Sequence, residues 1–195
     1  MEHPIIAGFV FLNFFMIVGA VDLFYFHIWK YKLHARPESR FEHNLHMTSA
    51  ILMVPVAYFL YFQNFGGYAL WVAVFFIVAG FATEILDVLF EGDSRASLGG
   101  LTTGEFSLHV TATILKITSF ALMFAVKPIG AWSLNSPIVL DTHGPMAELI
   151  ALIVMIGSFL VAILHLVLLS PKVVSFNCQT ICDFTGCSRF TCCKN

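Results

Sequence analysis

The sequence predicts an all-α integral membrane protein, a bundle of about five transmembrane helices with its N-terminus outside and its C-terminus in the cytoplasm. Three observations lead there. Five apolar runs each approach the roughly 20 residues needed to cross a hydrocarbon core. The 195 residues are 58% hydrophobic and only 11% charged. Basic residues gather on alternate connections between the runs. Ten basic and twelve acidic side chains cannot coat a water-soluble globule of this size, whereas a bilayer accepts apolar surface. The formal net charge of −2 lacks the basic excess that phosphate binding needs, so nucleic acid is not an expected partner.

The runs are Ile5 to Trp29, His46 to Phe62, Tyr68 to Phe90, Phe106 to Val126 and Met146 to Leu169. The first lacks the basic n-region of a signal peptide, carries Glu2 and exceeds the length of an h-region, so it reads as a retained helix. The second is short and holds Pro55, which removes a backbone donor and predicts a kink or tilt. Gly66-Gly67 marks a tight turn, and Pro128 to Pro145 reads as a longer loop, with Asp141 or Thr142 capping the last helix.

Lys30, Lys32, Arg36 and Arg40 crowd the first connection, Arg95 falls in the third, and Lys172, Arg189 and Lys194 follow the last run; the outer connections hold only Lys127. Basic residues in short loops stay on the cytoplasmic side, which places the loops Lys30 to Arg40 and Glu91 to Gly104 there. The expected location is a plasma, or inner, membrane. Residues 1–170 form the bundle, and 171–195 form a Cys-rich cytoplasmic tail, expected to be disordered. All five cysteines, Cys178, Cys182, Cys187, Cys192 and Cys193, lie in that tail without a Cys-x-x-Cys pair. An odd count in a reducing compartment supports neither a zinc ribbon nor a disulfide framework; metal delivery or palmitoylation also fits the tail.

Each ionisable side chain in a span costs about 2.5 to 3.5 kcal/mol at a helix centre for Asp, Lys or Arg. These groups are not scattered. Asp22 and His27 lie at the end of helix 1, Glu42, His43 and His46 at the start of helix 2, and Glu84, Asp87 and Glu91 at the end of helix 3. Glu105 and His109 open helix 4, and His165 lies near the end of helix 5. All fall at one side of the membrane, with Asp22 and Glu84 roughly 9 to 10 Å and His109 and His165 about 6 Å inside its boundary. The opposite halves offer only weakly polar groups such as Asn13, Ser119 and Ser158. One-sided polarity argues for a closed site and against a transport route.

Glu42 and His46 are i, i+4, as are Glu105 and His109, so each pair projects from one helix face. Glu84, Asp87 and Glu91 also share a face. The pattern suggests two sequential helical hairpins of similar design, with helix 5 adding His165. Imidazoles and carboxylates delivered from several helices are how di-iron and di-manganese centres are built, although the best-known spacing there is Glu-x-x-His. A divalent ion turns several expensive groups into one satisfied cluster. His46, Glu84, Glu105 and His109 are the first candidates for ligands, with Asp22, His27, Asp87 and His165 as further ligands or their orienting partners; Glu42, His43 and Glu91 stand at the membrane boundary. Lys116 is read as an interhelical ion-pair partner, with Asp22 or Glu84, or as a proton-relay group.

The expected cofactor is a divalent transition metal (Fe, Mn, Cu or Zn), in a centre of one or two ions in an oxidoreductase acting on O2, a quinone or another membrane-soluble molecule. Two alternatives use the same residues. Histidine pairs among His27, His46, His109 and His165 could hold haem in a non-catalytic subunit of a larger membrane complex, which leaves the carboxylates without a role. A metal-bound hydroxide could serve an intramembrane hydrolase, although no H-E-x-x-H occurs.

Overall fold

The computed structural model describes residues 2–170, so the expectations for the tail lie outside the described residues. Five helices are long and apolar enough to cross a membrane. Their outward faces are apolar, as at Ile6, Phe14, Phe75, Val78, Ile85, Leu89, Phe159 and Ile163, all more than one-third exposed. A surface of that kind is matched by lipid and not by water.

Helix α1 (Glu2–Val21) continues without a break into a π-helical segment, Asp22–Lys30. Two 3₁₀ turns lead to α2 (Arg40–Val56), which also runs on into a π-helical segment, Ala57–Phe62. The predicted effect of Pro55 takes this form. Proline cannot donate to the carbonyl one turn back, and the span stays continuous by passing into i→i+5 bonding just after it. Helix α3 (Gly67–Arg95) is five residues longer at its end than the apolar run, so Glu91 stands in the helix as its spacing with Glu84 and Asp87 predicts, and Arg95 belongs to the helix and not to the expected loop. Helices α4 (Thr103–Ala125) and α5 (Pro145–Leu168) complete the bundle.

Packing corrects the expectation of two sequential hairpins. The closest pairings are α1 with α4, α2 with α3, and α2 with α5. Gly8 makes the first possible: a Cβ there would sit 3.0 Å from Met123 Sδ. Ser119, on α4, donates to the Gly8 carbonyl at 2.6 Å and meets the buried Tyr61 hydroxyl. Around these contacts Phe9, Leu12, Val56, Leu60, Leu70 and Met123 form the apolar core of one half of the bundle.

That half is closed by a two-stranded antiparallel ribbon, β1 (Asn64–Phe65) with β2 (Val139–Asp141), which ties the α2–α3 turn to the α4–α5 connection. The connection read from sequence as a loop is thus partly ordered. Gly67 has φ +60°, and a side chain there would press to 2.7 Å from the Ser136 carbonyl. Lys127 Nζ donates to Asn64 Oδ1 at 2.6 Å and to the Phe65 carbonyl at 2.9 Å, and Trp71 Nε1 donates to the Trp132 carbonyl at 3.0 Å. Neither Asp141 nor Thr142 caps α5. The N-cap is Gly144, and Asp141 Oδ1 instead accepts from the Thr142 amide at 2.7 Å, because the strand carries both residues away from the helix end.

Candidate metal centre

The other half of the bundle buries charge. Asp22 and His27 come from the π-helical end of α1, Glu42, His43 and His46 from the first turns of α2, Asp87, Glu91 and Arg95 from the last turns of α3, Glu105 and His109 from the start of α4, and His165 from the end of α5. Most are almost wholly enclosed: Arg95 and Glu105 are 0% exposed, His27 and His165 1%, and Glu42 and His43 2%.

Three imidazoles form the middle. The ring centroids of His27 and His46 are 4.5 Å apart, and His109 lies 6.0 Å from the first and 6.4 Å from the second. Carboxylates surround them. Asp22 Oδ2 is 3.4 Å from His27 Nε2 and 3.0 Å from His109 Nε2, while Glu91 Oε1 is 2.9 Å from the other nitrogen of His109. Glu42 Oε1 stands 3.8 Å from both His27 Nε2 and His46 Nε2, and Asp87 Oδ2 is 3.4 Å from His46 Nε2. Glu105 Oε1 reaches within 4.0 Å of His27 Nε2.

Arg95 closes one side of the cluster. Its guanidinium donates to Glu42 Oε2 at 2.6 Å and Oε1 at 2.8 Å, and its Nε donates to Glu105 Oε1 at 3.0 Å. Ser94 adds a hydroxyl contact to Glu42, and the Tyr31 ring lies 5.7 Å from the guanidinium carbon. The α4 terminus serves the same junction. Thr102 is its N-cap and accepts from the Glu105 amide, as in a capping box, but the Glu105 side chain turns to Arg95 instead of back to the cap.

Pairing with Arg95 does not satisfy the cluster. Of the five carboxylates in the cluster, Glu42 and Glu105 meet this guanidinium, whereas Asp22, Asp87 and Glu91 lie against histidines. Buried Asp22 Oδ1, Asp87 Oδ1, Glu105 Oε2, His27 Nε2 and His46 Nε2 have no hydrogen-bond partner among the described residues. Three sets could each hold a cation, their ligand atoms lying within 4.8 Å of one another: Asp22, His27 and His109; His27, Glu42 and His46; and Glu91, Glu105 and His109.

Of the residues singled out from sequence, Asp22, His27, His46, Glu105 and His109 therefore come together, joined by Glu42 and Glu91 from the membrane boundary. Asp87, Glu84 and His165 stand outside the three sets, with Asp87 beside them at 3.4 Å from His46 Nε2. Glu84 forms a close ion pair with Lys116 across α3 and α4. His165 Nδ1 lies 2.9 Å from His43 Nε2, and its ring stacks beside His46 at 6.2 Å. Sequence reasoning missed Arg95, which it counted as a loop charge. The available signal was the face of α3: Glu84, Asp87 and Glu91 continue at helical spacing to Ser94 and Arg95. Comparison with protein-family models, curated proteins and solved structures gives no match.

Proposed function

We propose that the chain is a multi-pass integral membrane protein whose histidine and carboxylate cluster holds a dinuclear divalent metal centre near the cytoplasmic face. The activity that best suits such a centre is an oxidoreductase acting on a membrane-soluble molecule, a quinone or O2. One observation carries the reading: buried lone-pair atoms from four helices converge without partners. Leaving such groups unpaired is costly, and a coordinated cation removes the cost. Two ions match the charge count of the loaded site: once ligation leaves the imidazoles neutral, five carboxylates against one guanidinium carry four negative charges, those of two divalent cations. When bound, the metal supplies redox or Lewis-acid chemistry; the chain's residues hold it, orient it and exclude water.

Orientation rests on Lys30, Lys32, Arg36 and Arg40, which flank the cluster end, against Lys127 at the other. The reading is tested by elemental analysis of the detergent-purified protein beside His46→Ala and His109→Ala. About two metal atoms per chain are expected, by the ligand arithmetic of paired sites, with loss of at least one in each variant. A wild-type protein free of metal, or variants with full metal, would overturn it. A Soret band would instead favour haem and leave the carboxylates as a proton network.

A further inference from the structure

A cavity of about 550 Å³ runs from the cluster toward the middle of the bundle. That is within the range that encloses small ligands. On α4 it extends from His109 to Phe120, about 16 Å along the helix. Its two ends differ in chemistry. At one end are Asp22, His46, Asp87 and His109, and at the other are Phe15, Phe76 and Phe120. Asp22 is 7% exposed and its Oδ1 has no hydrogen-bond partner among the described residues, so a buried, unsatisfied acceptor stands at the polar end.

We propose that this cavity takes a neutral long-chain molecule from the bilayer and presents its single polar end, a hydroxyl or carbonyl, to the cluster. The proposal rests on the metal-centre reading and specifies its substrate class. A long apolar body matches the aromatic and aliphatic walls. The head is neutral because the carboxylates of the cluster and the proposed cations balance each other, and Lys116, the Lys that lines the cavity, is already paired with Glu84, so the walls offer no free charge to an ionic head. A cationic head would compete with metal for the same carboxylates. The Ser49 and Thr83 hydroxyls beside the cavity are bonded to each other at 2.7 Å and add no charge to the walls.

Two glycines provide a way to fill the space. Gly19 and Gly80 line the cavity, and a Cβ built at either meets nothing within 4 Å beyond its own stretch of helix among the described residues. The test uses the full chain in nanodiscs and a long-chain alcohol bearing a diazirine beside its hydroxyl, with crosslinks mapped by mass spectrometry. Saturable labelling is expected around Leu23, Leu45 and Ser49, displaced by unlabelled alcohol but not by the carboxylic acid or ammonium of equal length. Gly19→Leu and Gly80→Leu should each reduce it at least severalfold while keeping the wild-type metal content. Undiminished labelling in both variants, equal displacement by the acid, or equal capture of a phospholipid bearing the diazirine in its tail would overturn the proposal. Labelling as expected in a protein that contains no metal would overturn the metal centre and leave the cavity's ligand class standing.

Discussion

Asp22 and His27 are five residues apart, yet Oδ2 of the first and Nε2 of the second lie 3.4 Å apart. On a regular α-helix, five residues turn through roughly 140° beyond a full circle and would point the two side chains away from each other. The π-helical segment Asp22–Lys30 brings them to one side. A local change in backbone bonding thus supplies two of the groups of the cluster, in keeping with the association of π-helical turns with functional positions.

Arg95 is expected to hold the cluster end together. Arg95→Met strands Glu42 and Glu105, and removing one partner of a buried pair costs about 3–5 kcal/mol. Thermal unfolding in detergent should show a large fall in midpoint, partly restored by adding Glu105→Gln. A single variant as stable as wild type would contradict the arrangement.

Glu84 and Asp22 lie at similar depth in the sequence reading but are held differently in the structure. Since Lys116 occupies Glu84, Glu84→Gln is expected to retain bound metal, whereas Asp22→Asn should lose at least half of it. Elemental analysis of the two variants side by side distinguishes them.

The His43–His165 contact joins α2 to α5 at 2.9 Å with both rings buried. His165→Phe leaves a second nitrogen of His43 unpaired and should destabilise by about 1–3 kcal/mol. Replacing both residues with apolar ones should cost less than the two single changes added together. Simple additivity in a double-mutant unfolding cycle would show that the contact carries no energy.

At the opposite end, burial lowers His143 from 6.5 to about 4, with Lys127 adding to the shift. The unfolded state then binds more protons than the folded state between those values, so stability should fall as pH drops from 6.5 through 4. Burial also lowers Lys127 from 10.5 to about 8, and by the same sign stability should rise as pH climbs from 8 toward 10.5. Unfolding midpoints of His143→Phe should lose the acidic slope and keep the alkaline one.

The five helices were legible because apolar length is a one-dimensional property of the chain, and the one-sided placement of acids and imidazoles was legible for the same reason. What escaped was set by partners distant in sequence. Arg95 reads as a loop cation until Glu42 and Glu105, 53 and 10 residues away, are seen to enclose it. The extra turns of α3 exist with those contacts. Glu42 and His43, read as boundary residues, are buried because the Leu33–Ala35 and Pro37–Ser39 turns fold over that end. The pairing of α1 with α4 follows from Gly8 meeting Met123 and Ser119, which no periodicity within either helix announces.

The ribbon of β1 and β2 gives the two ends of the molecule unequal mechanical character. One is laced by backbone hydrogen bonds that draw the α2–α3 and α4–α5 connections together. The other is gathered chiefly by charge. On the proposed metal-centre reading, withdrawal of cations should therefore splay the helices like fingers from a fixed palm, with amide exchange quickening around Glu42, Glu91 and Glu105 while the amides near Asn64 and Val139 keep their protection.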